Sequence, residues 1–182
     1  MKKLLIAGAA LALITGCTMK NPLLMESSAP FGAPEFDKIE NEHYLPAFET
    51  GIAEAKAEID VITRALREII NLTCDAFMVN DIDLAKRVEP LEQVIDVLIA
   101  KSKSNHIARL QAGNCTIELG FILSDLLNNY SRVSDHCSNI AVALIETAHS
   151  SFETHEYLNS VKNKSNEKFE HAFNDYASIY TF

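Results

Sequence analysis

Glu92 and Asp96 stand four residues apart, so on a helix their carboxylates share one face beside the apolar seam of Leu91 and Ile95. Such a pair acquires chemistry when a second element brings more oxygen to the same level. Long periodic runs flank Gly113, and a hairpin centred there sets Glu92 opposite about Ser134. Asp135 then approaches Glu92, and Ser131 approaches Asp96. Glu92, Asp96 and Asp135 in one place would repel one another until a cation neutralised them. With water completing the shell, that set suits a divalent cation: Mg as a hard ion, or Fe, Mn or Zn with Ser131 and His136 assisting. The competing reading makes Glu92 and Asp96 solvated acids of a helix face, with Arg132 a nearby ion-pair partner.

Other reactive constellations fail on their geometry. Asp135-His136 lies among Ser131, Ser134 and Ser138, but no glycine elbow or backbone nest accompanies these serines to hold an oxyanion. His155-Glu-Tyr-Leu-Asn159 begins like the zinc-binding H-E-x-x-H helix, with asparagine where the second imidazole must stand. No glycine-rich loop cradles phosphate. His43, His106, His149 and His171 share no ligand spacing. The chain therefore reads as no enzyme.

The elements that would position the acids are all helical, and no strand alternation is evident. Prolines 22, 30, 34 and 46 and Gly32 punctuate the early chain and predict a loose tether over residues 18–43. Beyond it, Ile52, Ala55, Ile59, Ile62, Leu66, Ile69, Thr73 and Phe77 keep helical spacing without a break. A second helix starts at Asp81 as cap and carries Leu84, Val88, Leu91, Ile95, Leu98, Ser102, His106 and Leu110 in near-heptad phase; Pro90 predicts a kink or break and Gly113 a left-handed stop. A third runs from about Thr116 to Ala148 with Leu119, Ile122, Leu126, Tyr130, Val133, Cys137, Ile140 and Leu144 as its stripe. A short last helix, capped by Ser165 or Asn166, carries Phe169, Phe173, Tyr176 and Ile179. The expected fold is all-α, an antiparallel three-helix bundle with a C-terminal helical appendage. The facing stripes predict burial of Leu91, Ile95, Leu98, Leu119, Ile122, Leu126, Val133, Cys137 and Ile140.

Met1 to Cys17 combines Lys2 and Lys3, an apolar run from Leu4 to Ile14 too short to span a bilayer, and Ile-Thr-Gly-Cys. This is the pattern of a bacterial lipoprotein signal, with Cys17 the lipid attachment site and the membrane a partner through that anchor. It predicts an extracytoplasmic, membrane-anchored chain. The 182 residues, about 166 after processing, suit one domain plus a tether. Loss of Lys2 and Lys3 leaves 14 basic against 25 acidic residues, a net charge of −11, which disfavours nucleic acid and favours cations or basic surfaces. Cys74, Cys115 and Cys137 are odd in number and lack C-x-x-C spacing, a pattern of buried free thiols suited to a reducing compartment.

Two resemblances divide the remainder. Residues 65–157, through ALREIINLTCDAF, VEPLEQVIDVLI, HIARLQAGNCTIELGFILSDLLNNY, SRVSDHCSNIA and FETHEYL, resemble the PhoU-like regulatory domain of bacterial sodium/phosphate cotransporters. That resemblance implies a non-enzymatic cytoplasmic role in phosphate homeostasis, with E/D-x-x-x-D pairs on neighbouring helices binding metal. Ser131 stands where the family has an acid, which weakens the second pair. The family duplicates this unit, so a second chain would supply a missing half, by self-association through the bundle or with a protein partner. Residues 21–62, through the NP, PEFDKI and EHYLPAFE blocks, resemble the N-terminus of thimet-oligopeptidase-like zinc metallopeptidases, a part that carries no chemistry there. The expected organisation is residues 1–16 leader, 17–46 tether and peptidase-like segment, 47–150 PhoU-like bundle with a seam near 63–66, and 151–182 tail: a chimera. The alternatives are an inert fragment of a lipoprotein peptidase and an anchored adaptor bundle.

Overall fold

The computed structural model describes residues 21–149 and 167–182. The leader with Cys17, the His155–Asn159 stretch and the expected cap at Ser165 or Asn166 lie outside these residues. Among the described residues three 3-10 turns precede five α-helices: α1 Asn41–Val79, α2 Ile82–Ala85, α3 Val88–Gln111, α4 Ile117–His149 and α5 Glu167–Ile179. Among the described residues there is no strand, as the sequence periodicity requires. No described helix is long and apolar enough to cross a membrane.

Helix α1 begins earlier than the prolines suggest. His43 Nδ1 accepts from the Glu40 backbone N–H at 3.0 Å and ties down the start, so Pro46 falls early in a 39-residue helix. The helix then runs through positions 63–66 without interruption, with Ile62, Ala65, Leu66 and Ile69 all buried. It stops at Asn80, which takes the left-handed conformation (φ 52°), and the Asp81 N–H reaches back to the Ala76 carbonyl at 2.9 Å. Asp81 then caps α2, its carboxylate accepting from the Asp83 and Leu84 N–H groups.

Pro90 does not kink a helix. The break falls at Lys86–Arg87, and Pro90 occupies the first turn of α3, where a missing N–H forfeits no intrahelical bond. Helix α3 ends in a Schellman turn: Gly113 (φ +77°) donates to Leu110 O and Asn114 to Arg109 O, both at 3.1 Å. Its stripe is as the spacing predicts, with Val88, Leu91, Ile95, Leu98, Ser102 and His106 inside.

Helix α3 runs antiparallel to α1 and α4, and the three pack on one another. Helix α5 covers α3 and also reaches α1 through the Tyr180 hydroxyl, which donates to Glu68. Two stripes require correction. On α4 the buried residues are Leu123, Leu127, Ser134, Cys137, Ala141 and Ile145; Leu119, Ile122, Val133 and Ile140 are exposed, and Leu126 is half-buried. Both sets recur at three and four residues, so spacing alone does not choose between neighbouring faces. On α5, Tyr180 is buried beside Tyr176, whereas Ile179 is exposed. The tether also holds more structure than its prolines imply. Leu23, in the turn Pro22–Leu24, is buried near Gly113, and Asn21 donates to the His43 carbonyl at 2.8 Å.

Candidate functional site

The hairpin register estimated from sequence holds to within about a residue: Ser138 on α4 donates to the buried Glu89 of α3 at 2.5 Å. Level is not direction, however. Glu92 is buried on α3, whereas Asp96 is exposed; on α4, Ser134 points inward, Asp135 and His136 outward, and Ser131 is half-buried. A step of one residue turns a helical side chain by about 100°, which carries Asp135 past the α3 face. Among the described residues no group of three or more His, Cys, Asp or Glu is arranged to hold a metal ion. Glu92, Asp96 and Asp135 therefore share a level without converging.

The polar centre that the fold does assemble lies one helix away. Glu58 of α1 is 5 % exposed and Arg109 of α3 is 5 % exposed, and they form a two-pronged ion pair, with Nη1 to Oε1 at 2.7 Å and Nη2 to Oε2 at 3.3 Å. Ser102 donates to Oε2 at 2.7 Å and Asn105 to Oε1 at 2.9 Å. Burial would raise the carboxyl's pKa. The bonds from Arg109, Ser102 and Asn105 outweigh it and hold Glu58 below the ordinary carboxylate range.

Small residues let the backbone close around this pair. A Cβ on Gly51 of α1 would stand 2.5 Å from the Asn114 carbonyl oxygen, so only glycine admits the α3–α4 turn so close to α1. Gly120 of α4 likewise gives its Cβ space to the His106 imidazole. His106 is buried, with Nδ1 3.5 Å from the Cys115 sulfur; burial, then the neighbouring Arg109 charge, lowers its pKa and keeps it neutral. Beside the pair opens a cleft of about 410 Å³, walled by Glu54 and Glu58 on one side and Asn105 and Arg109 on the other, with Leu23 to Met25 at its rim. Arg109 Nε and Asn114 Oδ1 are buried there without a hydrogen-bond partner among the described residues.

Three free thiols are described: Cys137 is buried, Cys115 half-buried and Cys74 exposed, so the expectation of uniform burial fails at Cys74. Sequence reasoning overlooked the Glu58–Arg109 centre. Its signal was phase: Glu58 falls in step with Ile62, Ala65 and Ile69, and Arg109 with Leu98, Ser102 and His106. Opposite charges thus stood on two core stripes that an antiparallel register brings together.

This arrangement can be set beside known proteins. Residues 59–144 match the PhoU domain. The segment is PhoU-like, and the match begins one residue after Glu58. The accessory protein PhoU homolog 1 of the phosphate-specific transport system from Thermotoga maritima is 34% identical over 74 residues, 40% of this chain and 32% of that protein. Dipeptidyl carboxypeptidase of Escherichia coli K12 is 49% identical over 45 residues, 25% of this chain and 7% of the enzyme. The Salmonella typhimurium dipeptidyl carboxypeptidase is 48% identical over 42 residues, 23% and 6%. The chain thus spans about a third of the PhoU homolog's length and less than a tenth of either peptidase's. No solved structure matches it.

Proposed function

We propose that the chain is a non-enzymatic PhoU-like module that acts in the regulation of phosphate transport through protein contact. The observation that carries this reading is the match of residues 59–144 to the PhoU domain, set on the α1–α3–α4 bundle. The reading as an inert peptidase fragment has less support, because the peptidase match covers 25% of this chain whereas the PhoU domain match covers residues 59–144. Anchoring through a lipid on Cys17 belongs to the proposal. So does the divalent cation, which would need Asp96 and Asp135 to swing toward Glu92.

Phosphate uptake and phosphate-starvation reporter output, measured in bacteria lacking their own PhoU and producing this chain, test the reading. A change in either relative to the empty vector is expected, and it should persist in Asp96→Asn if no cation takes part. Folded protein at normal abundance that leaves both outputs unchanged refutes the regulatory role.

A further inference from the structure

The cleft beside the Glu58–Arg109 pair is built by both segments of the chain. Glu54, Glu58 and the rim Leu23 to Met25 precede residue 59, whereas Asn105, Arg109 and Asn114 lie inside the PhoU-like stretch. Glu58 takes both Nη groups of Arg109, which leaves the Arg109 Nε–H without an acceptor, and Asn114 Oδ1 has no donor among the described residues. Both side chains line the cleft, at 5 % and 8 % exposure. A buried donor and a buried acceptor left open in one wall call for an occupant that carries an acceptor beside a donor.

Charge and shape narrow the occupant. Glu58 neutralises Arg109, so the exposed Glu54 gives the cleft one negative charge in excess and favours a cationic donor. An anionic acceptor would meet two carboxylates, which selects a neutral carbonyl oxygen. Leu23, Leu24, Met25 and Ala108 offer apolar surface, and the cavity of about 410 Å³ accommodates a small molecule with an apolar side chain. We infer that this cleft binds an α-amino amide, a primary ammonium next to a neutral carbonyl, as a small molecule or as the first residue of a short peptide. A slight turn of the two orphaned side chains toward the occupant lets Arg109 Nε donate to its carbonyl oxygen. The ammonium donates to Asn114 Oδ1 and Glu54, and the apolar side chain lies against Leu23 to Met25. The Glu58–Arg109 pair stays intact and holds the guanidinium in place.

The inference does not rest on the phosphate reading, and calorimetric titration of the full chain near pH 7, where an α-amine is largely protonated, tests it. L-Leucinamide should bind with a dissociation constant on the order of 0.1–1 mM. N-Acetyl-leucinamide, which lacks the charge, and leucine, whose carboxylate meets Glu54 and Glu58, should each bind at least about tenfold more weakly. Glu54→Gln should weaken leucinamide binding by about fivefold or more. Ala108→Leu, which fills the cleft from an exposed helix position, should do the same, and both variants should keep the parent's helicity. Leu-Gly-Gly distinguishes the sources: binding at least as tight as leucinamide's assigns a peptide end, and weaker binding assigns a small molecule. No heat and no melting shift from leucinamide at about 10 mM would mean that the cleft holds solvent only, and overturns the inference. So does binding that acetylation, Glu54→Gln or Ala108→Leu leaves unchanged.

Discussion

His106 shows how burial turns a common residue into a condition on stability. Its imidazole is enclosed beside Gly120 and Arg109 and its pKa lies below the usual 6.5, so the folded protein holds fewer protons there than the unfolded chain. A group shifted downward contributes stability that is fully present above the unfolded value and is lost as pH falls through it toward the folded value. Glu58 acts in the same direction further down, since its lowered carboxyl pKa withdraws stability as acid protonates it. The midpoint of urea denaturation should therefore hold steady above about pH 7 and decline below about 6.5. His106→Asn should flatten the part of that decline above pH 5 and leave the steeper loss below the carboxylate range. A parent midpoint independent of pH between 7 and 5 would contradict the burial of His106.

At the scale of the element, helix α4 separates the two faces that spacing confuses. Leu127→Ala should cost about 2–5 kcal/mol, because Leu127 is fully buried, whereas Ile122→Ala should stay within about 0.5 kcal/mol in the monomer. Equal costs in chemical denaturation would show that the phase of α4 is wrong. Most of the fold was legible: the unbroken phase of α1, the glycine stop at 113, the α3 stripe and the hairpin level all follow from spacing and caps. What stayed hidden has a physical reason. Helix α4 carries apolar residues on two adjacent faces, and its inner face is partly polar, with Ser134 and Ser138 buried where a sequence reading looks for leucine. For the acids, too, phase matters as much as spacing. Register fixes height along a bundle, but one residue of phase decides whether Asp135 faces α3 or solvent.

At the scale of the whole molecule, the two segments of unlike resemblance form one body. Helix α1 begins in the peptidase-like stretch and ends in the PhoU-like one, Gly51 receives the α3–α4 turn, and Leu23 seals the region near Gly113. A buried ion pair crosses the divide from Glu58 to Arg109 at 2.7 Å, and a buried guanidinium stripped of its carboxylate is left uncompensated. Either Glu58→Gln or Arg109→Met alone should therefore destabilise the chain by about 3–5 kcal/mol. Together they should cost much less than the sum, since the second change removes the charge that the first exposed. The direct measurement is a double-mutant cycle on these two residues, read by thermal and chemical denaturation of the full chain. A coupling of about 2 kcal/mol or more, within a single cooperative transition, is the predicted result. Additive effects, or two separate transitions with Arg109 indifferent to Glu58, would mean that the segment before residue 59 does not belong to the bundle.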